Sequence, residues 1–240
     1  VGFYDWDDDG LGDLFYSIDF GKNSFYQNPG ALGEPWFDWL PGWGADLYSH
    51  AMGAAFGDFD RDGLDDLYIT DAGPDQFWFG LPDGTVEDRA KTTGIAAATW
   101  FKSGWSPIGS DFDQDGWLDL FVPSTASAET LEPFVGFMEY EPQDTAGMGK
   151  IQRDYLFRSD GHGGWGASTL PHQPPSFAVP GSAAAAVADY DGDGDLDIAE
   201  AYMSRMLFRL LRNDTPAGHW LTVKLNGRDL GVVWKPPFRV

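Results

Sequence analysis

The sequence predicts an all-β protein built from a repeated loop-and-strand unit. Three observations carry that expectation. A ten-residue acidic pattern recurs four times, strand-like runs follow each copy, and the 240 residues include 31 glycines and 16 prolines. Such a composition suits many short strands joined by turns better than long helices.

The four copies read DWDDDGLGDL, DFDRDGLDDL, DFDQDGWLDL and DYDGDGDLDI, starting at Asp5, Asp58, Asp111 and Asp189. Their common form is Asp-aromatic-Asp-x-Asp-Gly-x-x-Asp-Leu/Ile. The steps between copies are 53, 53 and 78 residues. A fixed period of this size is the signature of a repeat architecture. A second landmark, an aromatic run followed by a polar turn, appears at Phe25, Phe77, Tyr155 and Leu207. It lies much farther from its acidic loop in the third unit, which places an insertion within about Ser124 to Gln152.

The runs DLFYSI, DLYIT and DLFV after the loops are rich in β-branched and aromatic residues, as strands are. MGAAFG and AAAAVA precede two of the loops. The alanine run has helical propensity, but its place in the repeat predicts a tightly packed strand. Each unit therefore reads as strand, acidic loop, strand, turn, strand and connection. About 50 residues per unit suits a four-stranded β-propeller blade.

The loop spacing fits a hard divalent cation, which takes six to eight oxygen ligands. In the second copy, Asp58, Asp60 and Asp62 supply carboxylates from positions 1, 3 and 5. Gly63 permits the sharp reversal that brings in the carbonyl of Leu64. Asp66 closes the shell, and Asp65 is expected to face solvent. All-oxygen ligation favours calcium over zinc or copper, and magnesium fits less well because it holds its waters. An EF-hand needs a bidentate Glu at position 12, where these copies have Tyr16, Ile69, Val122 and Glu200. Asp-rich turns without metal are the plainer alternative, against which four copies of one nine-residue pattern weigh. The position-2 aromatics Trp6, Phe59, Phe112 and Tyr190 read as packing between units.

Bulk properties narrow the function. A net charge of −23 repels nucleic acid and anionic membrane surfaces. There are no cysteines, hence no disulfides, thiolate metal sites or cysteine nucleophiles. No apolar run reaches the 18 residues of a membrane span. The chain opens at Val1 without a basic-then-apolar leader, so the expectation is a removed leader or a missing start.

The loop pattern, with AAFGDFD on the approach to the second copy, resembles the FG-GAP or VCBS repeat. The resemblance covers roughly Val1 to Asp214. It implies a calcium-binding propeller of the kind found in integrin α-subunit heads and bacterial surface proteins. Carried over residue by residue, it implies up to four structural Ca²⁺ ions. Their ligands would be Asp5, Asp7, Asp9, Leu11 and Asp13; Asp58, Asp60, Asp62, Leu64 and Asp66; Asp111, Asp113, Asp115, Trp117 and Asp119; and Asp189, Asp191, Asp193, Asp195 and Asp197. Leu11, Leu64, Trp117 and Asp195 would contribute main-chain oxygen only. Closed propellers of this family usually have six to eight blades, so the four units imply part of a larger ring. With only Val1 to Tyr4 before the first loop, the first unit is expected to lack its incoming strand.

The stretch LLRNDTPAGHWLTVKLNG resembles the junction with an ASPIC/UnbV segment. The expected division is therefore residues 1–216 as blades and 217–240 as a shortened ASPIC/UnbV-like β segment. Leu221, Val223 and Leu225 alternate as in a half-buried strand, and Asn226-Gly227 is a hairpin turn signal.

The function expected is a non-catalytic, extracytoplasmic module that binds a protein partner or enters a larger assembly. GEPWFDWLPGWGADLY from Gly33 and ETLEPFVGFMEYEPQD from Glu129 are the candidate contact regions. A carbohydrate-binding, lectin-like propeller is the alternative, with a polysaccharide lyase or hydrolase behind it. His50, His162, His172 and His219 share no spacing with an acid or nucleophile, and no nucleophile elbow, phosphate loop or zinc-protease motif occurs.

Overall fold

In the computed structural model, residues 1–7, 9–30, 38–39, 44–45, 47–100, 102–126, 154–169, 182–202 and 208–215 are described. They form an all-β architecture of small antiparallel sheets. The first sheet joins β1 (Gly2–Tyr4), β2 (Asp13–Tyr16), β4 (Ser24–Gln27) and β5 (Asp38–Trp39), with β3 (Asp19–Lys22) between β2 and β4 in the chain. The second joins β7 (Gly53–Gly57), β8 (Asp66–Thr70), β9 (Gln76–Gly80) and β10 (Val86–Asp88). The third joins β12 (Ile108–Ser110), β13 (Asp119–Val122), β15 (Tyr155–Ser159) and β16 (Trp165–Thr169). The fourth has three described strands, β17 (Ser182–Ala188), β18 (Asp197–Tyr202) and β19 (Phe208–Leu211). Two ribbons lie beside them. There β3 pairs with β6 (Tyr48–His50), and β11 (Lys102–Gly104) pairs with β14 (Ser124–Ala126).

Every sheet is a meander, as a propeller blade is, and every acidic loop is the hairpin between its first two strands. The register repeats. Tyr4 faces Asp13, Gly57 faces Asp66, Ser110 faces Asp119 and Ala188 faces Asp197. The alanine run is strand β17, as its place in the repeat predicts. The first unit does have its incoming strand, contrary to expectation. Three residues suffice because Gly2, Phe3 and Tyr4 pair with Phe15, Leu14 and Asp13. The insertion of the third unit falls mostly outside the described residues. Its first three residues form β14. The 217–240 segment also lies outside them.

The core sits between sheets, in three layers. Phe15 and Phe25 of the first sheet, with half-buried Trp6, meet Leu67, Ile69 and Trp78 of the second. Phe59, Tyr68 and Phe77 of the second meet Leu120, Val122 and Phe157 of the third. Phe112, Phe121 and Leu156 of the third meet Ile198, with half-buried Val187 and Leu211, of the fourth. The position-2 aromatic, the third residue of the second strand and one residue of the third strand thus form the same triad at each interface. Strands β8 and β13 are buried along their whole length because sheets cover both their faces. The close approach is visible at Gly109, where an added Cβ would lie 2.8 Å from the Phe59 ring. A short helix not anticipated from the sequence, α1 (Ile95–Thr99), adds Ile95 and Ala96 to the second layer.

Position 2 therefore has different energetics in different units. Phe59 is 1 % exposed and Tyr190 is 56 % exposed. Phe59→Ala is expected to cost about 3–5 kcal/mol and Tyr190→Ala less than about 1 kcal/mol. Denaturant unfolding of the two variants measures the difference, and equal costs would contradict the interface assignment.

Candidate metal centre

Glycine at position 6 has a left-handed backbone in all four loops, with φ of 85°, 89°, 91° and 98° at Gly10, Gly63, Gly116 and Gly194. Position 4 is also left-handed where described, at Arg61, Gln114 and Gly192. These two reversals curl the loop so that its amides point at its own carboxylates. Asp58 accepts from the amides of Asp62 and Gly63 at 3.1 and 3.0 Å, and Asp111 accepts likewise from Asp115 and Gly116. Asp5 accepts from Gly10, and Asp189 from Gly192 and Gly194. At position 5, Asp9, Asp62, Asp115 and Asp193 accept the amide two residues on, from Leu11, Leu64, Trp117 and Asp195. Hydrogen bonds to the ionised form hold negative charge in place despite like-charged neighbours.

Position 9 is a clamp. One oxygen of Asp66 accepts the Phe59 amide at 2.7 Å and the other the Gly80 amide at 2.9 Å. Asp13 does the same with Trp6 and Asn28, Asp119 with Phe112 and Ser159, and Asp197 with Tyr190 and Asn213. Each carboxylate therefore ties the loop to the end of the third strand. All four are 0–1 % exposed. Burial pushes the Asp66 carboxyl up to about 7 and that of Asp119 up to about 6, against the opposing pull of their amide donors. Losing such a side chain strands two amides, at about 1–3 kcal/mol for each that stays buried and unpaired.

Position 3 meets a polar or cationic partner. Asp7 accepts from Gln27, while Arg158 lies 3.8 Å from Asp113 and Arg212 lies 3.2 Å from Asp191. Gln27, Arg158 and Arg212 each immediately precede the third-strand residue that donates to the position-9 clamp. The second unit has Phe79 there instead, and Arg89 stacks over that ring at 4.7 Å to reach Asp60 at 3.0 Å.

The carboxylates converge in all four loops. Oxygens of Asp58, Asp60 and Asp62, and of Asp111, Asp113 and Asp115, lie within 4.8 Å of one another. In the first and fourth loops the converging sets are Asp5, Asp7 and Asp13, and Asp189, Asp191 and Asp197. In the second and third loops the position-9 residue stands outside the trio. Oδ1 of Asp5, Asp60 and Asp113 is buried and accepts no hydrogen bond. A buried carboxylate oxygen without a donor is costly, and a divalent cation among the trio would satisfy it. The donor set, all oxygen, fits calcium.

One expectation needs correcting, and one placement was not foreseen. Asp65 does not simply face solvent, since it is half-buried and accepts from the Tyr4 hydroxyl at 2.7 Å. At position 7 the side chain of Asp195 is turned inward, 1 % exposed, with Oδ1 accepting no hydrogen bond. Burial and the neighbouring Asp193 raise its carboxyl above the usual range. Packing of the first unit on the second decides the Asp65 placement, and the repeat pattern carries no trace of it.

A second clamp escaped sequence reasoning. The residue just before the third strand, Asn23, Asp75 or Asp154, is buried and accepts the amide of Ile18, Asp71 or Ser124. In these three units the donor amide stands five residues beyond the position-9 aspartate. Its sequence signal is an Asn or Asp one residue ahead of the aromatic run, as in NSFYQ, DQFWFG and DYLFRS. Asp75 also accepts from the Tyr68 hydroxyl at 2.5 Å. Asp154 belongs to a buried group with Ser182, Arg209 and Glu200, in which Arg209 and Glu200 are 2.5 Å apart.

Between the second and third loops lies a cleft of about 330 Å³. Phe79, Trp117 and Trp165 line it together with Asp60, Arg89 and His162. The stretches GEPWFDWLPGWGADLY and ETLEPFVGFMEYEPQD lie mostly outside the described residues, as do His172 and His219. His50 lies 3.5 Å from Asp19, and His162 is exposed in a turn.

Residues 58–122 match a family described as the FG-GAP-like repeat. The match begins on the first aspartate of the second loop and spans the third, and it supports the FG-GAP repeat family for this stretch. No curated protein matches the chain.

Burial holds the Asp75 carboxyl up at about 8. A folded value above the unfolded one, near 3.8, means the folded state binds the proton more tightly. Its contribution to stability is then full below about 4 and is lost as pH rises through about 8. Asp75→Asn removes that titration. Melting temperatures between pH 5 and 9 should therefore decline less in the variant than in the wild type, and parallel declines would refute the assignment.

Proposed function

We propose that this chain is a calcium-stabilised, non-catalytic interaction module that works outside the cytoplasm. The observation that carries the reading is the buried, undonated oxygen of Asp5, Asp60 and Asp113, each within a converging set of carboxylates. Repeats of the FG-GAP type commonly mediate protein–protein or adhesion contacts and are generally non-catalytic. Domains of this type are typically extracellular, where calcium is millimolar and sites of modest affinity fill. No helix among the described residues is long and apolar enough to cross a membrane.

Calcium here is structural. It offsets the repulsion among positions 1, 3 and 5 and fixes the first hairpin of the blade, leaving recognition to the loops between acidic copies. The arginines beside position 3 in the second, third and fourth loops supply part of the same neutralisation, so those loops need not collapse when the ion leaves. At ~1 mM calcium and a Kd of ~0.1 mM, each site would stabilise by about 1.4 kcal/mol. The melting temperature should rise with millimolar calcium and fall with chelator, and Asp60→Ala should remove part of the rise. A melting temperature indifferent to calcium would overturn the proposal.

A carbohydrate ligand is the second reading, favoured by the cleft at Trp117. Aromatic faces beside a carboxylate and a guanidinium are the groups that stack on and hydrogen-bond to a sugar ring. Titration of the calcium-loaded protein with neutral oligosaccharides should quench tryptophan fluorescence, and Trp117→Ala should weaken the response. Absence of any saturable response would remove this reading.

A further inference from the structure

The cleft between the second and third loops departs from the repeat at several positions at once. Position 7 is Trp117, where the other loops have Leu11, Leu64 and Asp195. The turn after β15 is the glycine-rich GHGG from Gly161. An added Cβ on Gly161 would lie 2.7 Å from the Trp117 ring, so only glycine lets that ring lie flush on the turn. Trp165 packs edge-on against Phe59 and Phe77, with ring centroids 6.0 and 5.1 Å apart. The aromatic lining is thus held in place before any ligand arrives, which lowers the cost of binding.

The polar groups of this lining offer donors rather than acceptors. Arg89 gives Nη1 to Asp60 at 3.0 Å and Nε to Glu87 at 2.9 Å. Its Nη2 donates to nothing among the described residues, and neither do the indole N–H groups of Trp117 and Trp165 or the His162 ring. The acceptors are already engaged. Arg89 takes one Asp60 oxygen and the other is buried, while the Ser159 hydroxyl accepts the Gly161 amide. The Thr92 and Thr93 hydroxyls donate to main-chain carbonyls. A ligand that satisfies the lining must therefore bring acceptors. Glu87 is largely exposed, so its pair with Nε is weak and exchanges readily. The Nε–Nη2 edge of Arg89 is the planar fork that a carboxylate takes with two parallel hydrogen bonds.

Resting on the carbohydrate reading of this cleft, we propose that its ligand is an acidic saccharide. A uronate ring lies against Trp117 and Trp165, and its carboxylate takes the Nε–Nη2 edge of Arg89 in place of Glu87. A saccharide is favoured over an acidic peptide because the flat C–H face of a sugar ring matches an aromatic wall, and an Asp or Glu side chain has no such face. The volume of about 330 Å³ lies at the small end of ligand pockets, which suits a short segment of such a chain. The net charge of −23 opposes an anion at long range, but physiological salt screens that field beyond about 8 Å. Closer in, Arg61 stands 5.1 Å from the Trp117 ring and adds its charge to that of Arg89.

The test titrates tryptophan fluorescence, in millimolar calcium and physiological salt, with a uronate trisaccharide, its neutral methyl ester and an oligoglutamate peptide. The uronate should bind about tenfold more tightly than the ester, the gain expected of a charge-assisted pair, and more tightly than the peptide. In Arg89→Gln the preference for acid over ester should fall to about one. In Arg89→Lys it should lie between, because an ammonium keeps the charge without the fork. Circular dichroism confirms the fold of each variant, and the wild-type preference decides the matter by itself should a variant misfold. Equal binding of uronate and ester would overturn this proposal and leave the carbohydrate reading standing. A preference that persists in Arg89→Gln, or a peptide that binds more tightly than the uronate, would also overturn it. With no saturable response to either saccharide, both the proposal and the carbohydrate reading fall.

Discussion

One buried carboxylate per unit joins three pieces of chain. Asp13, Asp66, Asp119 and Asp197 each begin a second strand, hold the start of the acidic loop through one oxygen and hold the end of the third strand through the other. That double acceptance fixes where the loop opens and where the meander turns. Once the first three strands are held in this way, their faces present one aromatic triad forward and one apolar set backward. The stacking of units follows from that geometry.

The acidic loop thus has two layers of chemistry. The inner layer, position 9, accepts two protein amides in every unit, although Asp13 and Asp197 also join the converging sets of their loops. The outer layer, positions 1, 3 and 5, is held only partly by amides and arginines. It leaves buried oxygens at Asp5, Asp60 and Asp113 without donors. The division explains how a chain of net charge −23 can draw its carboxylates together without the fold depending wholly on neutralisation. It also separates framework from work. The loops are held by their own amides and set between apolar layers, while the surfaces that vary between units include the cleft at Trp117.

Repetition made much of this legible. Four acidic copies gave the units and the order of strands, because a period-2 aromatic run after a fixed loop has few other foldings. The position-2 aromatics Trp6, Phe59 and Phe112 were readable as packing for the same reason, whereas Tyr190 is 56 % exposed and departs from that expectation. Other features were not legible because they depend on contacts between units. Arg61 and Gln114 accept a left-handed backbone, and each reaches the next loop, Arg61 over the Trp117 ring and Gln114 to the Gly194 carbonyl. Asp65 looks like surplus charge in the repeat pattern, yet the Tyr4 hydroxyl of the preceding unit finds it. The clamp at Asn23, Asp75 and Asp154 was visible only faintly, since Asn and Asp before an aromatic run are common turn residues.

By itself the sequence determined the unit and the fold class. These follow from local rules: side chains alternate along strands, glycine permits reversals, and spacing sets which groups can converge. Tertiary structure decided what each aspartate does. Identical residues at positions 1, 3, 5 and 9 part company there into amide acceptors, arginine partners, clamps and buried oxygens without a donor. The physical reason is that an oxygen's role depends on which donors lie within hydrogen-bond reach, and most of those donors come from the third strand or from the neighbouring unit.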